Sequence, residues 1–577
     1  MRRFLIMIFI LILSGGCWSF LLLFNPPTPA FTPTYPVPTT VVPSPLLTIT
    51  PSPPPSPTSI TPTPASSATL IPPYESFSVL YHPDDMLYVG DQVSIEVISP
   101  PGMDLKDASL RIQVDPPNGP YLGPVNFAAW GIQGRDEATL LWAWDTRDQD
   151  PGIHTLEFSV QPQGYGWSEQ ISLLPARDLP QSQADAQWSS TQTQCCTVFY
   201  ITNTTSARDL SILTSQIDEQ ARLSIDEMGA NFTEPITITV LPRLLGHGGF
   251  TSSEISVSYL DRNYAANSWA LVVHHEMVHT IDAHLGGDFR PTILVEGLAV
   301  YMAGGHYKPE PLMPRAATLL EDDLNWYIPL KTLADDFYAS QHEIGYLEGA
   351  SLIEYMVDTY GLDAFLAFYR DIHTHQDESQ SAAIDAALNA HFSITFSQLE
   401  RDFLAALDGE IDTSAWVDDV RLTVTFFDTM RRYQHLLDPS AYFRTAWLLD
   451  NNTMRQRGIV ADYLRHPHTP QNLALETLFI TASDQMSADQ YTHASQTLEI
   501  ITSVLDAIEN GTAHPFSGST LASDYLSIAA TLQQLGYEVQ KINTDGNVAL
   551  VYVTSSSGPD LIERHLTHSA DGWSLSP

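Results

Sequence analysis

The chain has 577 residues, which is enough for about three or four domains of typical size. Its formal net charge of −41 argues against binding to nucleic acid or to an anionic membrane surface, because both are themselves negatively charged. Only Cys17, Cys195 and Cys196 occur, and two of them are adjacent, so no framework of disulfides is predicted and hydrophobic cores must stabilise the fold.

The first predicted element is a membrane anchor over residues 1–24. Two arginines precede an almost uninterrupted apolar run from Phe4 to Phe24, and about 20 apolar residues suffice to span a bilayer. The positive flank predicts a cytoplasmic N-terminus and a single-pass protein whose bulk lies outside the cytoplasm, at the cell membrane. Two alternatives remain, namely a lipid-modified Cys17 in the stretch LSGGC and a cleaved signal peptide.

Residues 25–73 are dominated by proline, threonine and serine. Such a segment cannot bury a core, so it is predicted to form an extended stalk. Residues 75–178 then alternate apolar and polar side chains between clusters of Gly, Pro and Asp, which predicts a β-sandwich. The stretch WDT…PGIHTLEFSV resembles the late strands of immunoglobulin-like modules on bacterial surface proteins, which implies a role in spacing or docking.

Two α+β domains are predicted after a polar linker over residues 178–194. In residues 195–410, the strand-like stretches CCTVFYIT, PITITVLP and SEISVSYL precede a series of helices. In residues 416–577, helical patterns such as AYFRTAWLLD precede two or three strands, and no residue set there indicates a function. The predicted fold is multidomain, with an anchor, an immunoglobulin-like sandwich, an α+β domain that carries the candidate site, and a small α+β domain.

The stretch VVHHEMVHTID lies on a predicted helix and carries the best candidate site. An α-helix brings residues i and i+4 onto one face, so His275 and His279 can bind one metal ion, with Glu276 between them. His274 has Val278 at i+4 and is predicted to point elsewhere. The alternative is a core helix that carries histidines without binding a metal.

A third metal ligand is expected because a catalytic zinc is held by three protein ligands and keeps one position for water. Glu296 is the best candidate, since its predicted helix, RPTILVEGLAVYMAGG, is apolar on every side and therefore buried. A buried carboxylate must be protonated, paired or bound to a metal. The alternative partner for Glu296 is Arg290.

Together, the stretches HHEMVHTIDAHLGG and LVEGLAVY resemble the gluzincins, the zinc peptidases of the thermolysin-like and aminopeptidase-like group. An HExxH motif alone is a weak signal, but here a Glu–Gly pair follows 17 positions after the second histidine. The resemblance implies a zincin-like peptidase domain with Zn²⁺ as cofactor and a peptide or protein as substrate. It implies His275, His279 and Glu296 as zinc ligands, and Glu276 as the base that takes a proton from the zinc-bound water.

The resemblance also implies a tyrosine that donates a hydrogen bond to the oxyanion of the reaction. The stretch GYLEGASLIEYMVDTYG resembles the aminopeptidase-like segment that carries this tyrosine. Tyr346 is therefore the candidate donor, and His342, one turn earlier, is its competitor. The alternative is that Tyr346 is simply a packed aromatic residue.

The chain departs from the gluzincin pattern in two places. Val300 occupies the position where many relatives carry an Asp that orients a histidine ligand, and Asp282 either replaces this Asp or is exposed on its helix. No GxMEN-like segment that recognises a free amine is present, which favours an endopeptidase over an exopeptidase. The stretch SEISVSYL is a candidate edge strand for an extended substrate. His247 and His306 are expected in loops, with surface or supporting roles.

The leading hypothesis is an extracytoplasmic, membrane-anchored zinc metallopeptidase. Two others remain, namely a surface adhesion or binding protein whose peptidase fold has lost activity, and a zinc amidase that acts on the cell wall. The intact Glu276 argues against lost activity, whereas zinc–water chemistry attacks any amide and leaves the amidase open. The predicted partners are a peptide or protein substrate and the membrane, with no nucleic acid.

Overall fold

A computed structural model describes residues 77–84, 86–100, 103–130, 135–243, 248–374, 379–411, 413–441, 450–555 and 558–576. These residues belong to one compact unit, Ser67–Pro577. The predicted anchor, Cys17 and the predicted stalk lie outside the described residues. Within the described part of the chain, no helix is both long enough and apolar enough to cross a bilayer.

Two β-sheets that share one apolar core form the N-terminal part, where alternation predicted a β-sandwich. The strands are β1 (Ser78–His82), β2 (Leu87–Tyr88), β3 (Gln92–Ile98), β4 (Ser109–Val114), β5 (Tyr121–Asn126), β6 (Ala128–Trp130), β7 (Arg135–Asp145), β8 (Gly152–Gln161) and β9 (Tyr165–Leu174). One sheet has the order β1-β3-β7-β6 and the other β2-β9-β8-β4-β5. Alternate residues enter the core, such as Ile95 and Val97 of β3 and Leu156 and Phe158 of β8.

A mixed five-stranded sheet supports the next part of the chain. Its strands are β10 (Trp188–Gln192), β11 (Cys196–Ile201), β12 (Ile236–Leu241), β13 (Gly249–Thr251) and β14 (Ile255–Ser258), in the order β10-β11-β12-β14-β13. The central strands β11, β12 and β14 are parallel, and the two edge strands run antiparallel to their neighbours. A disulfide joins Cys195 to Cys196 at the start of β11.

This sheet corrects two expectations. The prediction that residues 178–194 are a linker is wrong for β10, whose polar residues tolerate solvent because β10 is an edge strand. The stretch SEISVSYL is not an edge strand, because its strand β14 pairs on both sides and is buried throughout. The edge on that side is the short strand β13.

Helices pack against this sheet and form a lobe beyond it. They are α1 (Gln181–Ala184), α2 (Thr205–Arg208), α3 (Leu210–Met228), α4 (Trp269–Leu285), α5 (Thr292–Ala303), α6 (Leu312–Ala317), α7 (Leu330–Asp335), α8 (His342–Tyr360), α9 (Leu362–Arg370), α10 (Gln380–Phe392) and α11 (Phe396–Asp408). Apolar residues of α3 and α4 pack with residues of β11, β12 and β14 in one cluster. Helices α5 to α11 build a second, larger core.

Helices α5 and α8 cross at two glycines. A Cβ atom added at Gly297 of α5 would lie 2.5 Å from the carbonyl oxygen of Gly349 in α8, so the approach requires glycine. Helix α5 follows Pro291 and ends at Gly304, which adopts a left-handed conformation with φ of 76°. The crossing brings Glu296, the neighbour of Gly297, towards the first turns of α8.

The C-terminal part contains α12 (Val417–Leu437), α13 (Asn451–Arg457), α14 (Ala461–Leu464), α15 (Pro470–Ser487), α16 (Tyr491–Glu509), α17 (Thr520–Gln534), β15 (Tyr537–Thr544), β16 (Val548–Ser555), β17 (Gly558–Ser569) and β18 (Gly572–Leu575). The four strands form one antiparallel sheet in sequence order, where the sequence predicts two or three strands. Most of the predicted helix AYFRTAWLLD lies outside the described residues.

Helix α12 belongs to two hydrophobic cores. Val420 and Val424 pack in the core of helices α5 to α11. Phe426 and Met430 pack in the core of the C-terminal part. The helical spacing of the two pairs places them on different faces of α12, so this helix joins the two parts.

Candidate metal centre

Helix α4 brings two imidazoles to one point. Nε2 of His279 lies 2.9 Å from Nε2 of His275, one helical turn away, and the two rings are perpendicular. This spacing on one helical face is the one that the sequence predicts. At most one of two facing nitrogens can direct a hydrogen at the other, whereas both can direct lone pairs at one cation.

Glu296 of α5 completes a set of three donor atoms. Its Oε2 lies 3.3 Å from Nε2 of His275 and 3.4 Å from Nε2 of His279. Three N or O ligands at about 2.0–2.1 Å from a tetrahedral Zn²⁺ are separated by about 3.3 Å, so the donor set fits this ion. The structure therefore brings together the three residues that the sequence predicts as ligands.

The electrostatics of these groups favour a cation between them. Burial acts to raise the pKa of Glu296, but His279 and His275 hold the pKa of this carboxyl well below its usual range. Burial acts to lower the pKa of His279, yet the charge of Glu296 raises this pKa to about 9. Burial and the neighbouring His279 lower the pKa of His275 to about 4. The ionised carboxylate of Glu296 is therefore paired with the positive charge of His279, and a bound divalent cation can supply positive charge in its place.

Glu276 lies beside this centre and is held by the edge strand β13. Its Oε2 accepts a hydrogen bond of 2.6 Å from Oγ1 of Thr251. A Cβ atom at Gly249 would lie 2.7 Å from Oε1, so the absence of a side chain there makes room for the carboxylate. Burial raises the pKa of Glu276 to about 7. A carboxyl group with this pKa can both accept and release a proton near neutral pH.

Arg290, the alternative partner of Glu296, pairs with Asp282 in the structure. Nη1 of Arg290 donates to Oδ2 of Asp282 at 2.7 Å, and the hydroxyl of Tyr369 donates to the same oxygen at 3.0 Å. Asp282 is buried, so of the two alternatives for this residue the exposed position on its helix is wrong. The buried Val300, in the position where many relatives have Asp, packs in the core of the helical lobe.

His274 points away from the centre, as the sequence predicts. Its Nδ1 lies 3.0 Å from Oε1 of Gln220, and its Nε2 lies 3.0 Å from Oε2 of Glu227. Both partners belong to α3. Burial lowers the pKa of His274 to about 4, so the ring is neutral and its role is to pack α4 against α3.

Tyr338 also belongs to the centre, although no sequence pattern indicates it. This residue lies in a short 3-10 turn before α8, and its hydroxyl donates to Oε1 of Glu296 at 2.6 Å. The other oxygen of that carboxylate, Oε2, is the one that faces the imidazoles. Tyr338 therefore fixes the orientation of Glu296, and the stretch DDFYAS contains no spacing that could indicate this role.

Tyr346 lies at the centre but also packs among aromatic rings. Its ring stacks on His306 with a centroid distance of 4.1 Å and lies 6.3 Å from the ring of His275. Burial and the charge of the nearby Glu296 raise the pKa of the Tyr346 hydroxyl well above its usual value. The hydroxyl is therefore neutral and can act as a hydrogen-bond donor at the centre.

A second group of potential ligands lies next to Tyr346. Oε2 of Glu343 is 3.0 Å from Nδ1 of His306, and Oε1 is 2.9 Å from Nδ1 of His342. Nη2 of Arg431 donates to Oε1 at 3.2 Å. Because the guanidinium already provides a positive charge, this group is satisfied without a metal ion. The loop residue His306, for which a surface or supporting role was expected, thus lies beside the candidate centre.

His373, in a loop of the described part of the chain, does not join the centre. Its side chain is exposed and contacts Asp288 and Asp371. His247 lies outside the described residues.

The three candidate ligands open into a cleft of about 570 Å³. Gly249 and Thr251 of the edge strand β13 line one side. Helix α12 lines another side with Phe427, Met430, Arg431 and Gln434, although the sequence indicated no function for the C-terminal part.

No protein-family model and no curated protein matches this chain. Among solved structures, one similar chain covers 57% of this chain and 76% of its own length, with 10% identity and a TM-score of 0.26. It is an aminopeptidase N family protein from Idiomarina loihiensis. A TM-score this low carries no argument about fold or function, so the interpretation of the centre rests on its own geometry.

Proposed function

We propose that this protein is a zinc metallopeptidase of the gluzincin type, with His275, His279 and Glu296 as zinc ligands. The observation that carries the proposal is the convergence of the three donor atoms within 2.9 to 3.4 Å of one another, with Glu276 beside them. Tyr338 and Thr251 orient the two carboxylates, which is the support that a catalytic centre needs.

When bound, Zn²⁺ supplies a Lewis acid that makes a coordinated water more acidic and polarises a carbonyl group. Glu276 then accepts the proton of the attacking water and later gives it to the leaving nitrogen. Its position next to His275 and its pKa of about 7 suit both roles. The hydrogen bond from Thr251 occupies Oε2, which leaves Oε1 for the proton.

We propose Tyr346 rather than His342 as the donor to the oxyanion. Burial and the nearby Arg431 lower the pKa of His342 to about 3, so its ring is neutral. Since Nδ1 contacts the carboxylate of Glu343, the hydrogen lies on Nδ1, and Nε2 can only accept. The neutral hydroxyl of Tyr346 can donate.

We propose an endopeptidase, because the edge strand β13 runs along the cleft. Gly249 and Thr251 belong to this strand and also line the cleft. An extended peptide can add to such an edge through main-chain hydrogen bonds, and this binding requires no free end of the substrate. We thus propose that β13, and not its neighbour β14 in the stretch SEISVSYL, is the edge strand that binds an extended substrate.

The proposal is tested by measuring zinc content and the cleavage of casein and a peptide library by the full chain, purified with detergent. We expect about one zinc per chain and cleavage that Glu276→Gln abolishes while zinc is retained. Glu348→Gln is a matched control, because Glu348 is an equally buried carboxyl in α8 that contacts the amide of Ile328 instead. Bound zinc without cleavage of any peptide would instead favour the cell-wall amidase or the inactive binding protein.

Location outside the cytoplasm, with residues 1–24 as the anchor, is a further proposal that rests on the sequence. Deletion of residues 1–24 is expected to release the protein from the membrane fraction, whereas Cys17→Ala is expected to leave it there. Release by Cys17→Ala would instead show a lipid anchor.

A further inference from the structure

One buried carboxylate, that of Glu343, contacts two imidazoles beside the centre. Each of its oxygens contacts one imidazole, with distances of 3.0 Å to His306 and 2.9 Å to His342. Burial opposes ionisation, but His306 and His342 hold the pKa of Glu343 well below its usual range. Both imidazoles are thereby fixed through Nδ1, since an ionised carboxylate can only accept hydrogen bonds.

The two imidazoles hold the ring of Tyr346. The His306 ring is nearly parallel to it at a centroid distance of 4.1 Å, and the His342 ring lies at 4.5 Å. Phe337 closes a further side at 5.1 Å. A tyrosine side chain has two rotatable torsions, and these rings restrict both, so the direction of the hydroxyl depends on where the imidazoles lie.

Glu343 is in turn tied to the C-terminal part. Nη2 of Arg431, on α12, donates to its Oε1 at 3.2 Å. A buried carboxylate with a guanidinium and two imidazole partners has little freedom to move. The hydrogen bonds therefore run from α12 to Glu343 and to the two imidazoles that contact Tyr346.

We propose that Glu343 is a positioning residue for Tyr346, acting through His306 and His342, and that Arg431 fixes Glu343 in place. The inference rests on the proposed function, in which the Tyr346 hydroxyl donates to the oxyanion. It assigns the C-terminal part a role in the reaction, because the chain of contacts ends on α12.

A double-mutant cycle tests the proposal on the full chain with the peptide that is cleaved best. Tyr346→Phe is expected to lower kcat by about 100-fold or more, as the loss of an oxyanion donor does. Glu343→Gln is expected to lower kcat by about 10- to 100-fold with little change in KM. In the Tyr346→Phe background, Glu343→Gln should add less than about 3-fold, because residues that act through one another are not additive.

Glu348→Gln is the matched control, since it makes the same change at a buried carboxyl of the same helix without contacting the imidazoles. Arg431→Gln is a second, milder variant. It is expected to lower kcat in the wild-type background, as Glu343→Gln does, and to have little effect in the Tyr346→Phe background. If the fold-losses in kcat of Glu343→Gln and Tyr346→Phe multiplied in the double variant, the proposal would be overturned. Two zinc ions in the wild type instead of the expected one, with one of them lost in Glu343→Gln, would also overturn it, because Glu343 would then be a metal ligand.

If the zinc-loaded wild type cleaves no peptide, the proposed function fails, and the positioning role is decided by binding alone. A phosphonamidate dipeptide, whose tetrahedral phosphorus oxygen resembles the oxyanion, is then titrated by calorimetry. Weaker binding by Tyr346→Phe and by Glu343→Gln, without a further loss in the double variant, supports the positioning role. Equal binding by wild type and Glu343→Gln, or no binding by any of them, overturns it.

Discussion

Two hydroxyl groups decide which carboxylate oxygens remain for chemistry. Tyr338 donates to Oε1 of Glu296, and Oε2 of the same group faces the two imidazoles. Thr251 donates to Oε2 of Glu276, which leaves Oε1 on the side of Gly249. Neither hydroxyl belongs to the proposed set of zinc ligands, so their removal should change the centre without removing a ligand.

We expect Tyr338→Phe to weaken zinc binding by about 10- to 100-fold, because the partner that orients the Glu296 ligand is lost. Competition with a chromogenic chelator measures this affinity. Tyr327→Phe is the control, since its hydroxyl also donates to a glutamate, Glu400, away from the cleft. Equal zinc affinities of the two variants would contradict the role of Tyr338.

We expect Thr251→Val to lower kcat by about 10-fold while zinc content and KM stay near wild type, because Glu276 loses its fixed orientation. Thr251→Ser keeps a hydroxyl at this position and should restore most of kcat. Steady-state kinetics on one peptide with both variants decides this. A serine variant as slow as the valine variant would show that packing of the methyl group matters instead.

The residues that could be predicted are those that local spacing connects. His275, Glu276 and His279 follow from the turn of one helix, and Glu296 follows from a carboxylate in an apolar helix. Tyr338 could not be predicted, because its contact with Glu296 spans 42 residues and obeys no spacing rule. The same holds for Thr251, which precedes Glu276 by 25 residues and lies on another element.

At the scale of elements, the crossing of α5 and α8 sets the distance between Glu296, the proposed third ligand, and Tyr346, the proposed oxyanion donor. Gly297 follows Glu296 directly, and Gly349 follows Tyr346 by one turn. Because a Cβ atom at Gly297 would meet the Gly349 backbone at 2.5 Å, the helices cannot approach this closely with any other residue there.

We expect Gly297→Ala to cost about 1–3 kcal/mol of unfolding free energy, because the two helices must separate. Zinc affinity should fall as well, since Glu296 moves with α5. Gly345→Ala is the control, because its Cβ would meet side chains and no backbone, with the flexible Cδ1 of Leu333 nearest at 3.2 Å and the Phe337 ring at 3.8 Å. Urea unfolding and chelator competition measure the two effects, and a Gly297→Ala protein with wild-type zinc affinity would contradict this account.

The order of strands was less accessible from the sequence than the helices. The run SEISVSYL indicates a strand but not its neighbours, and its place inside the sheet depends on β13, three residues long. A strand this short carries no alternation that a sequence pattern could reveal. The edge strand β10 has the polar composition of a linker, and only its pairing with β11 identifies it.

At the scale of the whole molecule, a buried ion pair ties the N-terminal sandwich to the segment after α14. Nη1 and Nη2 of Arg465 donate to Oδ2 and Oδ1 of Asp91 at 2.5 and 3.0 Å. Nε1 of Trp142 in the sandwich also donates to Asp462 at 3.2 Å. Polar contacts therefore join the sandwich to the C-terminal part, and α12 joins the C-terminal part to the helical lobe.

We expect Arg465→Met to cost about 3–5 kcal/mol of unfolding free energy, because it leaves the Asp91 carboxylate buried without its partner. Arg147→Met is the control, since its pair with Asp145 is solvent-exposed and its loss should lower the unfolding free energy far less. Guanidinium unfolding with limited proteolysis between the sandwich and the sheet measures both. Similar losses in the two variants would refute the importance of burial.

Because α12 contributes side chains to the core of the helical lobe and to that of the C-terminal part, neither core is complete without it. Heating should consequently give one calorimetric endotherm for both, and not two. A hybrid that takes everything after residue 410 from another protein would lose the α12 side chains that pack in the core of the helical lobe. Such a graft is expected to fold only when the donor's helix and the recipient's lobe have been matched to each other.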